Sequence, residues 1–102
     1  CRLGAVYVDH QRAIDPTLTL GADQLVRVHL QPRRFPAAGA TDWASAILHE
    51  EEDFVVVVKP RGVPTHATVD NVLESCQARV ADLLGADVQC PHRLDVETRG
   101  LL

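Results

Sequence analysis

The 102-residue chain has no methionine, no Cys-x-x-Cys pair, no glycine-rich phosphate loop and no Gly-x-Ser-x-Gly turn. The last two absences remove the commonest nucleotide-binding and serine-hydrolase signatures. The three cysteines, Cys1, Cys76 and Cys90, are odd in number and unpatterned, so a disulfide framework is not expected and reduced thiols are. Metal binding is not expected either. Cys90-Pro91-His92 offers two ligands, and nothing else falls at zinc spacing. The longest unbroken apolar run, Phe54 to Val58, is far too short for the roughly 20 residues that a membrane span needs. No signal-peptide pattern is present. A soluble protein of the cytoplasm or of an organelle (plastid or mitochondrion) is therefore expected, without membrane contact. With no initiator, and with Leu101-Leu102 closing on an apolar pair, the chain reads as an internal fragment of a longer protein.

What is present is globular in character. The apolar fraction is 46% and the charged fraction 24%, values that argue against disorder. Net charge is −4, which by itself counts against a nucleic-acid surface. Its distribution tells a different story. The acid gathers in Glu50-Glu51-Glu52-Asp53, read as a solvated turn. Arg33, Arg34, Lys59, Arg61, Arg93 and Arg99 fall in or near the segments that carry chemistry.

Periodicity divides the chain. Gly4 to Val8 is a short apolar run followed by the polar turn Asp9-His10-Gln11-Arg12, and Val26 to Leu30 alternates with Val26, Val28 and Leu30 on one face. Residues 31–45 hold Pro32, Pro36 and Gly39 without periodicity and read as a linker. Phe54 to Lys59 contains four consecutive valines, expected to be buried on both faces of a central strand. Asn71 to Leu84 reads as one helix, capped by Asn71 with Glu74 completing a capping box and Gly85 as its stop. Its stripe of Leu73, Cys76, Val80 and Leu83 is expected to pack on the Phe54–Val58 strand, which should present unpaired edges.

The densest chemistry lies in His92-Arg93-Leu94-Asp95-Val96-Glu97-Thr98-Arg99-Gly100-Leu101-Leu102. A lone loop Asp most often caps a turn, and Asp95 could serve the backbone near Thr98. Arg93 could be an exposed ion-pair partner, His92 a residue that shapes a strand end, and Lys59 a solvated strand-end lysine. A hydrolase using Asp95 would want a second carboxylate, and Glu97 is the near candidate.

The segment resembles the signature loop of RluA-type pseudouridine synthases, His-Arg-Leu-Asp-x-x-Thr-Ser-Gly-Leu-Leu, with Arg99 in place of the serine. The Lys59-Pro60-Arg61-Gly62-Val63-Pro64-Thr65-His66 stretch is similar to a second family pattern, matching at Lys59, Pro60, Gly62, Pro64 and His66. Gly4 to His10 and Gly21 to Val28 resemble the back half of an αL-type RNA-binding module, with His10 where the turn glycine is usual.

The resemblance implies an α+β fold: a fragment of a mixed, mostly antiparallel catalytic sheet with one packed helix, preceded by a small β unit. It implies a partial αL-type module over residues 1–36, a linker over 37–45, and the N-terminal part of a catalytic domain over 46–102. It implies Asp95 as the catalytic residue that isomerises uridine to pseudouridine, with no cofactor. An ordinary Asp titrates near ~3.9, so the carboxylate is ionised at neutral pH and can stabilise, bond to or deprotonate the sugar. Arg93, with His92 beside it, would fill the gap left by the flipped nucleotide, which a planar guanidinium suits. Thr98 and Gly100 would set loop geometry, Gly100 by allowing a positive φ. Lys59 and His66 would bracket the cleft. The partner would be rRNA or tRNA, the protein a monomer, and the fragment alone inactive. A non-catalytic RNA-binding protein that retains the synthase fold is the alternative.

Overall fold

A computed structural model describes residues 1–102. Its elements run β1 (Val6–Val8), β2 (Gln11–Arg12), β3 (Val26–Val28), α1 (Pro36–Ala40), α2 (Trp43–Ala46), β4 (Ile47–Glu50), β5 (Val55–Lys59), α3 (Cys76–Leu84) and β6 (Gly100–Leu101). Two antiparallel three-stranded sheets result, ordered β2-β1-β3 and β4-β5-β6. The α+β class matches the expectation. A radius of gyration of 15.4 Å exceeds the ~13 Å of a single compact domain this long, because the two sheets lie end to end.

The first sheet follows from a turn. Asp9 and His10 both take positive φ, 48° and 68°, which bends the chain so that Val8 pairs with Gln11. The Asp9 carboxylate then reaches across to accept from the Leu25 backbone N–H at 3.0 Å and from Gln24 Nε2 at 3.0 Å. Those bonds hold its carboxyl below the usual range and help fix the β1–β3 register of Val6 with Val28.

The second sheet and its helices form the core. Val57 meets Trp43, Ala38, Val63, Cys76 and Val80 in one buried cluster. Residues 31–45 are therefore not an unstructured linker. The Ala-rich stretch folds into α1 and α2, Asp42 caps α2 by accepting from Ser45, and Trp43 Nε1 donates to the Ala38 carbonyl at 2.8 Å. No sequence period announced them because each helix is barely one turn long.

Two further expectations change. Strand β5 is paired by β4 from Val55 to Val57 and, from Val57 to Lys59, by β6 and Leu102, so on the β6 side the expected unpaired edge is left only at its Val55–Val56 end. Of the four valines only Val57 is fully buried. The helix begins five residues later than expected, capped by Ser75 Oγ accepting from the Ala78 N–H at 3.1 Å. Asn71 instead closes a separate turn, accepting from the Leu73 and Glu74 amides. The box-like Asn71–Glu74 pair does form, Asn71 Oδ1 accepting the Glu74 N–H and Glu74 Oε2 accepting from Asn71 Nδ2, but it closes this turn and not the helix, while Glu74 also binds Arg34. Cys76 and Val80 do join Val57 in the core, but Leu73 and Leu83 stand 47% and 46% exposed. Gly85 is the stop, in the left-handed region at φ 64°.

The 67–74 segment stitches the two sheets together. Val72 N–H donates to the Leu3 carbonyl, Tyr7 Oη donates to the Val69 carbonyl and Arg12 Nη2 donates to the Thr68 carbonyl. Glu74 is buried here, accepting three bonds from Arg34, one from the Phe35 amide and one from Asn71 Nδ2. That coordination pulls its carboxyl down to about 2, with the Arg34 bonds the largest cause.

Candidate active site

The Asp95 loop is held by the turn that follows β5. Lys59, at the strand end, is wholly buried, and its Nζ donates to the carbonyls of Pro60 (3.0 Å), Val63 (2.6 Å) and Val96 (3.2 Å). An ammonium has three protons, and each has an acceptor. Burial lowers the Lys59 pKa, while the nearby Glu97 and Asp95 carboxylates oppose that shift. Gly62, at φ 78°, turns its N–H onto the Val96 carbonyl at 2.8 Å. Arg61 Nε donates to the Glu97 carbonyl at 2.9 Å. Thr65 Oγ1 donates to the Leu94 carbonyl and accepts from the Leu94 N–H. Every backbone carbonyl from Leu94 to Glu97 is thereby engaged, because Asp95's own carbonyl accepts from Thr98 N–H at 3.0 Å.

This arrangement decides the roles of several predicted residues. The Asp95 turn is closed by backbone, so its exposed carboxylate is not spent on the local turn. Lys59 is not a cleft edge. It is a buried strut, and its side chain is unavailable to a ligand. Gly100 does not have positive φ. It sits in β6 opposite Lys59, and a Cβ there would lie 3.1 Å from Leu94 Cδ1, so close approach is what it provides. Thr98 contributes the amide that closes the turn.

His92 and Arg93 face different spaces. Arg93 lines a notch of about 280 Å³ with Arg33, Thr65, His66, Leu94 and Val96. The His66 ring is anchored there, its Nε2 3.2 Å from the Cys90 carbonyl. His92 borders the larger groove, about 690 Å³, with Phe54, Val57, Val80, Cys90 and Leu102. The acidic run Glu50 to Asp53 lines that same groove and not the Arg93 notch. No group of three or more His, Cys, Asp or Glu side chains gathers as metal ligands would. No helix is long and apolar enough to cross a membrane.

Sequence reasoning missed Thr65, Arg61 and the carbonyl-binding role of Lys59. The available signal was a threonine between Pro64 and His66 in an otherwise sharp turn. A hydroxyl confined there has few partners other than backbone.

The comparisons with known proteins point the same way. A chloroplastic protein of Oryza sativa subsp. japonica named RNA pseudouridine synthase 6 is 33% identical over 86 residues, covering 82% of this chain and 18% of that protein. Its namesake in Arabidopsis thaliana is 34% identical over 82 residues, 78% of this chain and 17% of that protein. The mitochondrial pseudouridylate synthase RPUSD4 of Rattus norvegicus is 32% identical over 85 residues, 78% of this chain and 21% of that protein. No family model and no solved structure matches the chain. The chain belongs to the RNA pseudouridine synthase family. It spans about a fifth of the length of the curated relatives it matches.

Proposed function

We propose that this chain is the Asp95-bearing part of an RluA-type enzyme that isomerises uridine to pseudouridine in RNA, rRNA or tRNA. Residues 1–36 act as a partial αL-type module, residues 46–102 as the N-terminal part of the catalytic domain, and residues 37–45 join them while packing into the core. The observation that carries this reading is the fixed Asp95 loop with its carboxylate left free. Breaking a carbon–nitrogen glycosidic bond and reforming a carbon–carbon bond needs an ionised carboxylate held still against the ribose. Four flanking residues supply that fixity here: Lys59, Arg61, Gly62 and Thr65. Arg93 fills the space of the flipped uridine, and His92 shapes the strand end beside it. The relatives named chloroplastic and mitochondrial support an organellar location.

The test is single-turnover conversion by the full-length protein. Asp95→Asn keeps size and removes charge, so conversion is lost while RNA binding persists. Near-normal conversion by Asp95→Asn overturns the catalytic assignment and leaves a non-catalytic RNA-binding platform, for which Arg99 in place of serine is the supporting feature.

A further inference from the structure

We propose that the notch between Arg33, His66 and Arg93 is a phosphate-binding subsite that grips the RNA backbone next to the reacting nucleotide, with Arg33 as a substrate-binding residue. The inference rests on the functional reading above and adds a site to it. Its first support is the fate of the other cations. Of the six arginines and lysines near the functional segments, Arg34 is committed to Glu74, Lys59 is buried on carbonyls, Arg61 is bound to the Glu97 carbonyl, and Arg99 is exposed outside the notch. Arg33 and Arg93, by contrast, line one notch.

The second support is rigidity. Arg33 comes from the segment before α1, more than 50 residues from Arg93 in sequence, yet its backbone is pinned at both polar atoms. Its N–H donates to Asp70 Oδ2 at 2.8 Å, and its carbonyl accepts from Asn71 Nδ2 at 2.8 Å. Its side chain is 66% exposed and forms a long ion pair with Asp70, Nε to Oδ2 at 3.7 Å, with no side-chain hydrogen bond. A guanidinium presented on a fixed backbone loses little freedom on binding an anion. Asp70 is kept ionised by the Arg33 amide and Thr68 Oγ1 and pairs with the Arg33 guanidinium, so an incoming phosphate shares Arg33 with it.

The third support is size and lining. At about 280 Å³ the notch sits just under the ~300 Å³ lower bound of small-molecule clefts. That volume suits one sugar–phosphate unit and not a folded RNA element. Phe35, Pro64, Leu94 and Val96 line it beside the two arginines, so it offers an apolar surface for a ribose together with cations for a phosphate. Leu94 and Val96 are the two sequence neighbours of Asp95, so the notch adjoins the loop that carries the carboxylate.

The experiment measures RNA affinity of the full-length protein against salt, with RNAs in which single linkages near the target uridine are neutral methylphosphonates. Arg33→Ala is expected to raise Kd three- to tenfold near 0.1 M salt and to flatten the log–log salt slope by about 0.7 to 1. Arg33→Lys should recover part of the affinity. In the unsubstituted-arginine protein one linkage should prove sensitive to neutralisation, and Arg33→Ala should be indifferent to that same linkage. Unchanged Kd and slope in Arg33→Ala, with Asp95→Asn still blocking conversion, overturn the subsite and leave the enzyme reading standing. Losses from Arg33→Ala and the neutral linkage that simply multiply also overturn it, since partners in contact do not act independently. Near-normal conversion by Asp95→Asn marks failure of the enzyme reading instead, whatever Arg33 does.

Discussion

Thr65 and Leu94 hold each other through a reciprocal pair, Thr65 Oγ1 donating to the Leu94 carbonyl at 2.8 Å and accepting the Leu94 N–H at 3.0 Å. One buried hydroxyl thus satisfies both polar atoms of the residue before Asp95. Thr65→Val preserves shape and removes both bonds, at a cost of roughly 2 kcal/mol. Amide exchange at Leu94 in the full-length protein should accelerate, and conversion should fall with it. Thr65→Ser should restore both. Undiminished protection of Leu94 in Thr65→Val would show that other contacts fix the loop.

Acid should open the seam between the two sheets before it unfolds the rest. Glu74 titrates at about 2 in the fold, against about 4.5 when free. A depressed folded value means the unfolded state binds more protons in between. The stabilisation is therefore full above pH ~4.5 and is lost as pH falls toward 2. Glu74→Gln should cost about 2 kcal/mol at neutral pH and remove this part of the acid sensitivity. The readout is protection of the Phe35 amide, which donates to Glu74 at 2.7 Å, followed from pH 6 to pH 3.

The β1–β2 turn should be improvable. His10 is held at φ 68°, in a region that costs a non-glycine residue on the order of 1 kcal/mol, and its predecessor Asp9 is also at positive φ. Asp-Gly is the favoured pair for such a turn. His10→Gly should stabilise the hairpin by about 0.5 kcal/mol net of glycine's greater chain entropy. Slower exchange of the Ala13 amide, which donates to Val6, would register the gain.

How much of this was legible depended on the range of the interaction. Val26–Val28 and Val55–Lys59 were readable as strands because alternation and β-branching are local properties. The Asp95 motif was readable because its residues are consecutive. The helix start was not. Asn71 and Ser75 are both competent caps, and the Asn71–Glu74 pair is used in a turn tied to Arg34, 40 residues away, so the helix starts at the second cap. Lys59 was misread for the same reason. Its neighbours in sequence suggest an exposed strand end, whereas the Pro60–Val63 turn folds two carbonyls onto the ammonium and the distant Val96 supplies the third.

That misreading yields the sharpest contrast between two roles. If Lys59 bordered the cleft, its loss would weaken RNA binding and leave the fold intact. As a buried strut, Lys59→Met should instead destabilise the protein by roughly 3 kcal/mol, because the Pro60, Val63 and Val96 carbonyls lose their charged donor. The Val96 carbonyl still receives the Gly62 amide, so the loop should loosen without detaching. Misplacement of about 1 Å at a reacting group costs on the order of 10²-fold in rate. The expected pattern is therefore a fall in the single-turnover rate, a lower melting temperature and a nearly unchanged RNA Kd. Free amines added to the assay should rescue nothing, since the ammonium acts on backbone and not on substrate. A raised Kd with an unaltered melting temperature would return Lys59 to the cleft.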